Sequence, residues 1–197
     1  MQIQPSEAET TQLGREANLY GQFGSHNFSR LALSPGIDIG YKGHMAGSPI
    51  AGFTGIDLDT PGYNGLNLPY ADESLATVHT SHVLEHMQNP INVIREWFRV
   101  LKVGGHLIII VPHQFLYEKR YELPSLWNAD HKCFYTIAFL LMQIEFALVP
   151  NHYRIVYCRD NDSGYDYSIG PANHATGRYE IELVLRRITP PTWSLQK

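Results

Sequence analysis

Apolar residues along the chain follow two rhythms. Ile91, Ile94, Trp97, Phe98 and Leu101 recur at helical spacing, the period of one face of a helix. Asn89 and Pro90 stand just before them as cap and first-turn residue, and Gly104 with Gly105 reads as the stop. Ile137, Leu140, Leu141, Ile144 and Leu148 form a second stripe and predict a helix over 136–148. Leu107–Val111 is instead an unbroken apolar run, as in a strand buried on both faces of a parallel sheet. Shorter strands are expected at Ile37–Ile39, Phe53–Leu58 and Ala76–Ser81, the last running on into "HVLEH". Two late strands are expected near Tyr153–Cys158 and Tyr179–Arg187, and Gly, Pro and Asn make 59–69 a loop. A further helix is expected around Ser6–Tyr20 in a polar leading segment. Strand, strand, strand, helix, strand, helix, strand, strand is the order of a layered α/β domain.

Length and composition narrow this pattern to one domain. The 197 residues suit a core of 31–190 with residues 1–30 packed against it. At 44% hydrophobic and 17% charged, the chain can bury a core and is not a disordered one. The net charge is −4, and no basic tract exceeds Lys119–Arg120 or Arg186–Arg187. A nucleic-acid surface needs clustered cations, so none is expected. Cys133 and Cys158 make no Cys-x-x-Cys pair, which argues against a zinc ribbon or redox pair and for a reducing compartment. Glu7 and Glu9 near the start do not suit a signal peptide, and "LIIIV" and "FLLM" are too short to span a bilayer. A cytoplasmic protein is expected.

The stretch "LNLPYADESLATVHTSHVLEHMQNPINVIREWFRVLKVGGHLIIIVPH" at 66–113 carries a specific likeness. It resembles the central half of a class I S-adenosylmethionine-dependent methyltransferase. That family has Leu-Pro-aromatic, a short acidic turn, a strand, "HVLEH", a helix, "RVLK-x-GG" and a buried strand in this order. Residues 37–59 are consistent with its first two strands, and 128–187 with its last helix and final strand pair. The resemblance implies a Rossmann-like single α/β domain with a mostly parallel sheet and an antiparallel last strand, an enzyme, and S-adenosylmethionine as cofactor. Within the family the chain is most similar to small bacterial enzymes found with sugar and cell-surface glycan genes.

"GIDIGYKGHM" at 36–45 then stands where the family's glycine loop belongs. Asp38 and Gly40 match it. Lys42 replaces the second glycine, and Gly43 is one place out of register. Glycines are needed there because backbone passes close to the cofactor and some positions take positive φ. Tyr41 and Lys42 are candidates to cover the ribose and to meet the cofactor's carboxylate. "HMAGSPIAG" leaves no room for a helix of three turns. A dinucleotide would need that helix N-terminus for its pyrophosphate, whereas S-adenosylmethionine has no phosphate. The first crossover is therefore shortened, and the sheet face it leaves bare needs cover from residues 1–30 or from a partner chain, as in a homodimer. By family position Asp57 accepts from both ribose hydroxyls, since a carboxylate's two oxygens can accept in parallel. Asn64 to Leu68 should pass the adenine, with Asn64 or Asn67 as polar contact. His82 and Glu85 should lie near the methionine part.

His79, His82 and His86 invite a metal reading, but no Cys or carboxylate pattern accompanies them, and no metal site is expected. Candidate catalytic residues lie further on, from His113 through "YEKRYE" at 117–122 and "NADHKCFY" at 128–135. His113 ends a parallel strand, the edge where α/β sites form. His131 beside Asp130 suits a general base held in one tautomer by a carboxylate. "RDNDSGYDY" at 159–167 could stack on a sugar and hydrogen-bond it, and the tetrad of amine-methylating nucleic-acid enzymes is absent. The expected reaction is O-methylation of a small polar hydroxylated molecule, such as a sugar. A methyltransferase-like subunit without catalysis is one rival, and an NAD-dependent oxidoreductase the other.

Overall fold

The computed structural model describes residues 33–42 and 49–193. The expected helix at Ser6–Tyr20 and the packing of residues 1–30 lie outside them. Six strands form one sheet in the order β2-β1-β3-β4-β6-β5. They are β1 (Gly36–Ile39), β2 (Thr54–Ile56), β3 (Leu75–Ser81), β4 (Leu101–Pro112), β5 (Tyr153–Asn161) and β6 (Glu180–Arg187). β2, β1, β3 and β4 are parallel, and β6 runs antiparallel to β4 and to β5. The last strand in sequence is thus the antiparallel one, as expected of the family. β2 is shorter than the expected 53–58, because at Asp57 the chain already enters a turn closed by Thr60.

Two helices among the described residues, α1 (Pro90–Arg99) and α2 (Ile137–Ala147), cover one sheet face. Both begin as their sequences dictate. Asn89 Oδ1 accepts from the Asn92 amide at 3.2 Å, and Thr136 Oγ1 from the Phe139 amide at 3.2 Å, the N-cap contact. Trp97 and Ile94 of α1, with Leu140 and Ile144 of α2, lie against Ile37, Ile39, Val78, Leu107, Ile109, Leu183 and Leu185. None of the described helices is long and apolar enough to cross a membrane.

The structure corrects one boundary. Gly104 and Gly105 do not stop α1, which ends at Arg99, and both lie inside β4. There the β3–β4 register jumps from Leu75↔Leu101 to Thr77↔His106, a bulge. Gly104 has φ +85°, and a Cβ on Gly105 would meet the Ala76 and Lys102 carbonyls at 2.9 Å. The glycines are required by the bulge, and α1 is closed by tertiary contacts instead. Arg187 of β6 donates to the carbonyls of Phe98, Arg99 and Leu101 at 3.2, 3.2 and 2.6 Å.

The opposite sheet face is of different chemistry. It holds a small apolar cluster of Ile50, Ile108 and Val184 beside buried Asp38, Thr77, His79, His106 and Glu182. The sheet reverses its winding between β1 and β3, and ligands bind at that point beyond the carboxyl ends of the strands in such folds.

Candidate functional site

At the reversal point the chain leaves β1 through Gly40, whose φ is +73°. Its amide donates to the Ile56 carbonyl at 2.7 Å. A Cβ there would stand 2.2 Å from Cγ2 of Val83. Residues 82–86, which follow β3, therefore press directly on the first loop. Asp57 ends β2 and ties the loop to it. Its Oδ2 accepts from the Lys42 amide at 3.1 Å and its Oδ1 from the Leu58 amide at 2.8 Å. Each oxygen keeps a further lone pair, so a vicinal diol remains an acceptable partner at this half-exposed carboxylate. The Tyr41 ring lies over Gly55, where a Cβ would meet it at 2.6 Å. The Lys42 ammonium pairs with Asp59.

Asp38 takes a different place from that of an open loop carboxylate. It is fully buried, with Oδ1 2.8 Å from His79 Nδ1 and Oδ2 accepting from the Ile50 amide at 3.1 Å. It joins β1 to β3 and to the far end of the first crossover. Leu68 is also buried, its side chain in the apolar core and its amide bonded to Glu96 Oε1 at 2.7 Å. Gly43 lies outside the described residues.

Beyond β3 the chain builds a second, polar centre. His82 has φ +54°, a conformation uncommon for a residue with a Cβ and concentrated at functional sites. It turns the chain out of the sheet into a short 3-10 turn, Leu84–His86. That turn points Glu85 inward, fully buried. Neither carboxylate oxygen of Glu85 has a hydrogen-bond partner in another described residue. Burial, with the Glu118 carboxylate adding to it, pushes Glu85 up to about 8. Three imidazole nitrogens surround its Oε1: His82 Nδ1 at 3.7 Å, His86 Nε2 at 3.8 Å and His131 Nε2 at 4.0 Å. The Lys132 amide donates to the Glu85 carbonyl at 2.7 Å and docks the His131 segment onto the turn.

Each imidazole faces a second carboxylate with its other nitrogen. His131 Nδ1 lies 2.5 Å from Glu118 Oε1, His86 Nδ1 lies 3.5 Å from Asp130 Oδ2, and His82 Nε2 lies 3.8 Å from Glu180 Oε1. Burial holds His86 below the usual imidazole value and Glu180 above the usual carboxylate value. Glu118 reaches inward from a five-residue π-turn, Gln114–Glu118, and Tyr117 of the same turn lays its ring 5.7 Å from His131. Tyr179 and His174 complete the aromatic side.

The sequence-predicted residues thus fall into groups. Gly40, Tyr41, Lys42 and Asp57 meet at the first loop, and His82, His131 and Asp130 at the Glu85 centre. The carboxylate on His131 is Glu118, whereas Asp130 faces His86 and Lys132. His113 ends β4 and faces Asp160 at 3.6 Å, with burial lowering its affinity for a proton. His79, His82 and His86 do not converge, since His79 turns to Asp38. Glu118 stands in the stretch "YEKRYE", where no single residue was chosen from the sequence, and Glu180 escaped the sequence reading. Only the π-turn and the antiparallel pairing of β6 bring them inward.

Comparison with known proteins agrees with the fold. Residues 52–109 match a family described as "Methyltransferase domain". No curated protein matches the chain. Among solved structures, an S-adenosylmethionine-dependent methyltransferase from Aquifex aeolicus shares 12% identity over 95% of this chain and 100% of its own, with a TM-score of 0.51. A chain from the complex of the Haloferax volcanii Trm112 methyltransferase activator with a methyltransferase shares 10% over 95% and 100%, at 0.54. A methyltransferase from Bacillus halodurans shares 13% over 78% and 82%, at 0.50. At these identities the structures speak for the fold. The matched segment, from β2 into β4, is similar to a methyltransferase domain.

Proposed function

We propose that the chain transfers a methyl group from S-adenosylmethionine to a hydroxyl oxygen of a small polar acceptor, such as a sugar or glycan precursor. One observation carries this reading. The segment 82–86 that presses on Gly40 also contributes His82, Glu85 and His86 to the polar centre, so the loop and the basic groups adjoin. The cofactor supplies an electrophilic methyl on a sulfonium, a good leaving group. Gly40, Tyr41, Lys42 and Asp57 would hold it, and alignment then provides much of the rate. The chain must still activate a hydroxyl. Donation of Nδ1–H to Glu118 fixes His131 in the tautomer whose lone pair is on Nε2, aimed at Glu85. That lone pair can act on the hydroxyl by taking its proton or by holding an electrophile against its oxygen.

The acceptor reading draws on the other side of the π-turn. Phe115, Tyr121, Tyr165 and Tyr167 bound a cavity of about 430 Å³ that also carries Lys119 and Arg120. The volume suits a small molecule, and aromatic faces with cations at the rim suit a hydroxylated ring bearing negative charge. Pairing of two chains also belongs to this reading, because Met142, Phe146 and Val149 leave apolar surface exposed on and just after α2.

Calorimetric titration with S-adenosylhomocysteine tests the cofactor half. The parent should bind, and Asp57→Ala should weaken binding by about 1–3 kcal/mol, the scale for a lost buried partner. Incubation with labelled S-adenosylmethionine and a panel of polyols, sugars, amines and carboxylic acids tests the rest. Alkali-stable label on hydroxylated compounds is expected, lower by about 10²–10⁴-fold in His131→Ala. Label confined to amines or carboxyls, or no cofactor binding, overturns the reading.

A further inference from the structure

We propose that Glu85, His86 and His131 bind a divalent transition-metal ion, with His82 as a further imidazole, and that this ion holds and acidifies the acceptor hydroxyl. The metal site stands on the geometry alone, and its use rests on the methyl-transfer reading above.

One ligand atom from each of Glu85, His86 and His131 lies within 4.8 Å of the others. From Glu85 Oε1 to His86 and His131 the separations are 3.8 and 4.0 Å, and to His82 3.7 Å, all too long for hydrogen bonds. They are close to what a shared ion requires, since ligand atoms bound at about 2.1 Å around one centre stand about 3.0–3.4 Å apart. A contraction of about 0.3–0.6 Å would bring the imidazoles into that range around Glu85 Oε1. Glu85 supplies the independent pointer to a ligand: a carboxylate with 0% exposure whose two oxygens have no hydrogen-bond partner in another described residue. A buried polar group left in that condition is costly, and three imidazoles directed at it offer lone pairs or weak contacts, not a bond.

The outer groups point the same way. Glu118, Asp130 and Glu180 stand behind His131, His86 and His82. Glu118, 2.5 Å from His131 Nδ1, directs the Nε2 lone pair inward and raises its basicity, the outer contact common behind metal-bound histidines; Asp130 and Glu180 stand further off, at 3.5 and 3.8 Å. Two or three imidazoles with one carboxylate favour zinc, manganese, iron or cobalt over magnesium, which prefers oxygen donors and water. The donor set also leaves positions open for a substrate oxygen.

In use, the His131 lone pair goes to the ion and not to a proton. The ion draws electron density from the acceptor oxygen, so the hydroxyl proton leaves to water. An oxygen lone pair then forms the O–CH3 bond as the S–CH3 bond breaks, its electron pair returning to sulfur to give a neutral thioether.

The full chain, treated with chelator, should be titrated with Zn²⁺, Mn²⁺ and Co²⁺, and with Mg²⁺ for comparison. One equivalent per chain is expected for the transition ions, with Mg²⁺ weaker, and Co²⁺ should develop visible absorption on binding. Glu85→Gln, and His86→Asn should the first variant fold poorly, should weaken binding at least about 10-fold; Glu118→Gln should weaken it too. The ion should raise the melting temperature of the parent by mass action and not that of Glu85→Gln. No saturable binding of any of the three ions, or equal binding by parent and variants, overturns the site. S-adenosylhomocysteine titrated into the same samples separates the two proposals. Cofactor binding without metal binding overturns only the metal site. Metal binding without cofactor binding leaves the site and overturns its use in methyl transfer.

Discussion

Gly40 shows at the scale of one residue what the altered loop still demands. Its φ of +73° disfavours any Cβ, and the Cβ would fall 2.2 Å from Val83 Cγ2. Gly40→Ala should therefore cost about 1–2 kcal/mol for the left-handed conformation and a further 1–3 kcal/mol for overpacking. Val83→Ala removes the colliding methyl and should recover the second part but not the first. Urea unfolding of the two single variants and the double variant measures the coupling; simple additivity would show that Val83 is not what excludes the side chain. The need for glycine here was legible from Asp-x-Gly read together with the family likeness downstream. The identity of its neighbour was not, because Val83 arrives from β3, 43 positions later in the chain. The same limit hid the burial of Glu85. "HVLEH" shows a carboxylate between histidines, but only the left-handed turn at His82 buries it. His131 was readable as an oriented imidazole, and its orienter was misread as the adjacent Asp130. Neighbours in sequence point different ways in an extended segment, and Glu118 reaches His131 across the fold.

At the scale of elements, the apolar rhythms found both helices and the buried strand, since periodicity records burial directly. They failed at the end of α1, where the determinant is tertiary. Arg187 bonds three carbonyls at the α1–β4 junction, lies 5.3 Å from the Phe98 ring and pairs with Glu73. It does for α1 what a glycine cap does elsewhere: it satisfies carbonyls left open at a helix end. Arg187→Ala should lower stability by about 1.5–3 kcal/mol, the scale of hydrogen bonds to a charged group. Arg187→Lys should recover little, because one ammonium lacks the planar fork that spans several acceptors. Chemical denaturation followed by circular dichroism checks both; a fully stable lysine variant would reduce the role of Arg187 to its charge. The Gly104–Gly105 pair is the complementary error. Its composition is right for a helix stop, and its use in a strand bulge follows from the β3 carbonyls beside it.

The whole molecule joins a sheet with one apolar face, covered by α1 and α2, to an opposite face carrying buried titratable groups. This contrast was only half legible. The resemblance implied a sheet and its order of elements, but a run such as "EIELVLRR" does not show that Glu182 lies 2% exposed beside Ile110. Those groups make stability depend on pH, and Glu182 allows the dependence to be isolated. Burial, with Glu180 adding to it, raises its carboxyl above the ordinary value, against the opposing pull of Arg159 and the hydrogen bonds from Asn161 and Tyr157. Between the unfolded value, about 4.3, and the raised folded value, the folded state holds more protons than the unfolded state. The slope of unfolding free energy with pH is then negative, so this contribution is full below about pH 4 and is lost as pH rises through the folded value. Glu182→Gln keeps the shape and the bond from Asn161 but cannot titrate. Whatever its cost at pH 5, the variant should gain on the parent as pH is raised to 8. Urea midpoints of both proteins across that range decide it, and a constant difference would mean that the carboxyl titrates alike in the folded and unfolded chain.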